Sequence, residues 1–93
     1  MQIIRRESYK KNLQNLLEYI AKQDGYTRAS DFLSKLNYSI KNLPNFPYKY
    51  RKSFYYESEY IRDCIFKGYT IPYLIDERKN QIVILDIFKW GKR

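Results

Sequence analysis

The sequence predicts an α+β fold of order β-α-α-β-β-β, a helical hairpin packed on a curved antiparallel sheet. Three observations lead there. Apolar residues recur at helical spacing in two adjacent stretches, first Leu13, Leu16, Leu17 and Ile20, then Ala29, Phe32, Leu33, Leu36, Ile40 and Leu43. Beyond Ser58 the pattern turns to short runs rich in Tyr, Ile and Val, broken at Gly68 and at the polar stretch Glu77 to Asn80. A short apolar patch, Gln2-Ile3-Ile4-Arg5, precedes the first helix and reads as a strand.

In the first helix Ser8 is the candidate N-cap and Asp24-Gly25 the stop. In the second, Thr27 is the candidate cap, Asp31 complements the positive end of the helix dipole, and Pro44 ends the element. Two amphipathic helices joined by so few residues pack as antiparallel neighbours and need a further apolar surface to cover. Asn45 to Ser58 lacks any helical period and contains Pro47, so it reads as a loop. Tyr60 to Lys67, Tyr69 to Ile75 and Gln81 to Phe88 then form an antiparallel meander, because short connections permit little else. The last of these is nearly continuous in apolar residues and belongs in the middle of the sheet. Pro72 cannot donate to a ladder, which predicts an edge, a bulge or an interrupted hydrogen bond at that point.

A chain of 93 residues, 44% of them apolar, suits one core and a single domain over residues 1–93. Eighteen Lys and Arg against ten acidic residues give a net charge of +8, which favours an anionic partner such as nucleic acid or an acidic protein segment. No apolar run approaches the roughly 20 residues that span a bilayer, so no membrane partner is expected. Residues Met1 to Glu7 lack the apolar stretch of a signal peptide, and the lone Cys64 has no disulfide partner, which points to the cytoplasm. Histidine is absent, removing the commonest acid/base group and zinc ligand. No cofactor or metal is expected.

Three stretches carry a family resemblance. The hairpin Tyr9 to Leu43 runs into Leu43-Pro44-Asn45-Phe46-Pro47; Tyr60-Ile61-Arg62-Asp63 precedes Gly68-Tyr69-Thr70-Ile71-Pro72-Tyr73; and Val83-Ile84-Leu85-Asp86-Ile87-Phe88 closes the chain. In this order they resemble the RelE/ParE toxin superfamily over nearly the whole length. The resemblance implies a toxin of a type II toxin-antitoxin system, of the kind tied to plasmid stabilization, blocked by a cognate antitoxin. One branch, typified by ParE, inhibits DNA gyrase without chemistry of its own. The other, RelE-like, is an endoribonuclease that enters the ribosome and cuts mRNA. The cleaving members commonly carry terminal His or Tyr residues, whereas Phe88 is followed here only by Lys89, Trp90, Gly91, Lys92 and Arg93. This departure favours the ParE-like reading. On the ribonuclease alternative, Arg62, Lys49, Arg51 and Lys52 would stabilise the scissile phosphate.

The candidate binding residues are Lys49, Tyr50, Arg51, Lys52, Arg62, Lys89, Trp90, Lys92 and Arg93. Tyr48-Lys49-Tyr50-Arg51-Lys52, followed by Phe54, Tyr55 and Tyr56, interleaves cations with flat rings as single-strand nucleic-acid binders do. Aromatic residues in a long loop equally serve to fasten it, the reading taken for Phe54 and at least one tyrosine. Arg62 suits a phosphate or carboxylate, or else an internal salt bridge to Glu57, Glu59 or Asp63. Cys64 has no base to activate it and reads as core. Trp90 either closes the core edge or anchors a partner. Together the cations are expected to line a hollow beneath the helices.

Overall fold

The computed structural model describes residues 1–89. In chain order these form β1 (Gln2–Arg5), α1 (Glu7–Asp24), α2 (Tyr26–Lys41), a 3-10 turn (Leu43–Asn45), β2 (Ile61–Phe66), β3 (Tyr69–Asp76), β4 (Gln81–Ile84) and β5 (Phe88–Lys89). The predicted helical stripes face the sheet. Tyr9 of α1 and Phe32, Leu36 and Ile40 of α2 are buried against Cys64, Ile71, Tyr73, Ile75, Ile82 and Ile84, with Leu13, Leu16, Leu17 and Ile20 half-buried around them.

Helix ends differ from the predicted caps. Gly25, at φ 96°, terminates α1 by donating its N–H to the Ala21 carbonyl at 3.0 Å. Its own carbonyl accepts from Ala29 N at 3.3 Å and so opens α2, leaving Thr27 inside the helix. One residue in a backbone conformation that glycine adopts without strain thereby serves both helices. Asp31 is not in the first turn of α2 and pairs instead with Lys35 at 3.1 Å. Ser8 is not the cap of α1, which starts after Arg6; its hydroxyl donates to the Leu85 carbonyl at 2.7 Å. That carbonyl lies between β4 and β5, at a break in the sheet, so the hydroxyl is drawn to it rather than to its own helix.

Strand order is β1-β4-β3-β2. β2/β3 and β3/β4 are antiparallel, as the short connections required. Lys67 and Gly68, both at positive φ, form the two-residue turn between β2 and β3. β1, however, pairs with β4 in parallel, from Gln2↔Gln81 to Arg5↔Ile84, so the sheet is mixed rather than wholly antiparallel. The reason is topological: β1 lies beside the far end of the chain, and no tight turn dictates its direction.

The predicted final strand is also interrupted. β4 pairs with β3 up to Tyr73↔Ile84, and β5 resumes at Thr70↔Phe88, so Ile71 and Pro72 face the three residues Leu85, Asp86 and Ile87. This is a β-bulge, and it falls at Pro72, whose missing N–H no longer leaves a gap in a regular ladder. Leu85 N still reaches the Pro72 carbonyl at 2.9 Å. Asp86 fixes the bulge, one carboxylate oxygen accepting from Asn12 Nδ2 at 2.7 Å and from Ile87 N at 2.8 Å. Among the described residues no helix is long and apolar enough to cross a membrane.

Candidate functional site

The loop predicted after α2 is anchored at both ends of its basic stretch. Tyr73 lies in the core and donates its hydroxyl to the Pro47 carbonyl at 2.6 Å. Further on, Arg51 to Ser53 runs along the outer edge of β2. Lys52 bridges to Arg62, Ser53 N bonds the Ile61 carbonyl at 2.8 Å, and Asp63 N bonds the Arg51 carbonyl at 3.2 Å. An extended backbone sends alternate side chains to opposite faces. Lys52 therefore shares the helix-side face with Arg62, and Arg51 and Asp63 share the other. The expected cationic hollow is divided: Lys49, Arg51 and Lys52 are exposed on two sides of a strand edge.

Arg62 is bound within the protein. Its Nε donates to the Glu59 carbonyl at 3.2 Å and its Nη1 to the Tyr50 carbonyl at 3.1 Å, while the guanidinium lies 5.0 Å over the Tyr48 ring. Backbone carbonyls, rather than the expected Glu57, Glu59 or Asp63 carboxylate, take its Nε and Nη1 donors.

Arg51 is the contrast. Its guanidinium stacks at 4.0 Å on the ring of Phe54 and makes one ion pair, at 3.9 Å, with Asp63 Oδ2. Asp63 is fully buried; the same oxygen accepts from Phe54 N at 3.1 Å, and Oδ1 has no hydrogen-bond partner. Phe54 is 73% exposed, against its expected role as a fastener. Other rings take that role: Tyr50 packs edge-on against Tyr73 at 6.4 Å, and Tyr55 meets Phe88 at 4.9 Å. Tyr50 is therefore mainly structural, with Lys49 lying 5.2 Å over its ring.

Burial, with a smaller contribution from the Cys64 thiol, pushes Tyr50 up to about 12. Burial also raises Tyr73 and the Cys64 thiol, whose side chain is core as expected. Among the described residues no group of three or more His, Cys, Asp or Glu could hold a metal ion. Lys89 is exposed and pairs with Tyr69 at the start of β3, apart from the basic loop. Trp90, Lys92 and Arg93 lie outside the described residues.

A second feature had no reading in the sequence. Across the helical hairpin runs an apolar groove of about 590 Å³, lined by Leu13, Leu17 and Leu33, with Arg5 and Lys10 among its polar residues. Tyr9 also lines it, with a buried hydroxyl that no hydrogen bond of good geometry reaches. Its pKa is pushed up to about 12 by burial, which the neighbouring Arg5 partly opposes. Leu33 and Leu13 carried the signal, since the apolar stripes are wider than one face against a sheet requires.

A helical hairpin on a mixed sheet, edged by a basic aromatic loop, defines a small α+β fold class. The same fold occurs in a solved structure described as "Chromosomal ParDE TA system from P. aeruginosa", with a TM-score of 0.79 and 14% identity, covering 98% of this chain and 97% of that one. No curated protein matches the sequence. The model of the ParE toxin of type II toxin-antitoxin systems, parDE, matches residues 3–91. The chain belongs to the ParE toxin family.

Proposed function

We propose that this protein inhibits DNA gyrase by binding, acts in the cytoplasm, and is neutralised by a cognate antitoxin. Family membership supports the target. The observation that carries the binding mode is Arg62: the side chain best suited by sequence to steady a scissile phosphate has its Nε and Nη1 donors on backbone carbonyls. Around it, Tyr50 and Tyr73 hold their protons far above neutral pH, so neither supplies a base to activate a ribose hydroxyl. Exposed Lys49, Arg51 and Lys52 are left to engage an anionic partner. For the antitoxin, the groove across the hairpin supplies an apolar bed with Arg5 and Lys10 beside it, matching an amphipathic segment that carries acidic residues.

The test adds purified protein to a gyrase supercoiling reaction and to a coupled translation reaction. Loss of supercoiling with message left intact is expected. Cleavage of ribosome-bound message with supercoiling untouched would replace this reading with the ribonuclease one.

A further inference from the structure

We infer that Arg51 and Phe54 form a preorganised subsite for one unstacked nucleotide of single-stranded DNA, so that the toxin contacts nucleic acid directly. The pair is held from beneath. Asp63, fully buried, binds the Phe54 N–H and the Arg51 guanidinium through the same oxygen, which sets the ring and the cation in one stack at 4.0 Å. Residues 51 and 53 are further tied to β2 by the backbone bonds of Arg51 O and Ser53 N.

The stack is turned outward. Phe54 is 73% exposed, and unlike Phe46, which is exposed to a similar degree, its ring carries a guanidinium. One face of the ring carries the guanidinium, leaving the other for a base, and base stacking tolerates any sequence. Among the described residues the Arg51 guanidinium is held by the Phe54 ring at 4.0 Å and the long ion pair to Asp63 at 3.9 Å, with more than a third of the side chain exposed. Its planar fork fits the two free oxygens of a phosphodiester. In a duplex the bases are stacked on each other, so only a single strand can occupy both halves at once. An acidic peptide would satisfy Arg51 and leave the phenyl face without a partner, which is why nucleic acid is the better match.

The two halves have separable signatures. A fluorescein-labelled oligothymidine of about 15 nucleotides is titrated with the full chain at several salt concentrations, with the matched duplex and a polyglutamate peptide as competitors. Phe54→Ala is expected to weaken binding roughly tenfold while leaving the salt dependence as it was. Arg51→Gln is expected to lower the slope of log affinity against log salt by about 0.7, one phosphate contact, and Lys22→Gln on α1 to leave it unchanged. All three substituted positions are exposed, and circular dichroism matching wild type verifies each fold. Unchanged affinity in Phe54→Ala, an unchanged slope in Arg51→Gln, or tighter binding of the duplex or the peptide would overturn the subsite. The assay contains no gyrase, so its result stands apart from the supercoiling experiment.

Discussion

Arg51 and Arg62 sit on paired segments one register step apart, and their surroundings give them opposite tasks. Arg62 points along the helix side, where the carbonyls of Glu59 and Tyr50 converge and the Tyr48 ring lies beneath. Two charge-assisted hydrogen bonds there tie both ends of the loop to β2. Arg62→Ala should lower unfolding stability by about 2 kcal/mol, since each such bond contributes roughly 1.5 to 3 before partial exposure is counted. Arg62→Lys should recover less than half, because an ammonium lacks the planar fork that spans both carbonyls. Urea denaturation measures both, and a fully stable Arg62→Lys would show that charge alone suffices. Composition and order located this loop, and the exposure of Lys49 and Lys52 followed. What could not be read was the division of labour between the two arginines. That depends on residues 51–53 lying against β2, a pairing set by two hydrogen bonds, Ser53 N to Ile61 O and Asp63 N to Arg51 O, rather than by apolar periodicity. Asp63 was equally hidden, since a carboxylate in a strand gives no sign of which face it occupies.

At the scale of elements, the helices and the meander were legible because each is a local pattern: a stripe every three or four residues, or an alternation cut by Gly68. Two features escaped. The run from Ile82 to Phe88 is apolar at nearly every position, so an inserted residue shifts the alternation without leaving a mark. Pro72 was the single clue, and the bulge opposite it is where the clue resolves. The partner of β1 escaped because pairing across the chain's length has no local signature. The bulge depends on Asp86, which links α1 through Asn12 and the next strand through Ile87. Asp86→Ala should cost about 1 kcal/mol, as expected for modest exposed hydrogen bonds. It should also speed hydrogen exchange across the β3/β5 pair more than across β2/β3. Uniform exchange changes in both pairs would mean that the bulge holds without Asp86.

For the whole molecule, buried phenols couple folding to alkaline pH. Tyr9 and Tyr50 are pushed up to about 12 by burial, and Tyr73 is raised further, against about 10 for an unfolded tyrosine. A raised folded pKa means that this stability is intact below pH about 10, where both states keep the proton. It is lost as pH climbs toward 12, because the unfolded chain ionises first. Absorbance at 295 nm should therefore show Tyr9, Tyr50 and Tyr73 ionising only together with the loss of far-ultraviolet circular dichroism. Complete tyrosinate formation in a still-folded chain would contradict the burial of these three side chains.

The parallel register of β1 on β4 has a consequence for synthesis. Gln2–Arg5 is synthesised well before Gln81–Ile84, the strand it pairs with among the described residues. The nascent chain can assemble its helical hairpin early, but β1 has no strand to pair with until Gln81–Ile84 has been made. Closing so long a loop is slow compared with local folding. The order in which the strands are made thus sets when this sheet can close: β4 has to be made before it can bridge β1 to β3.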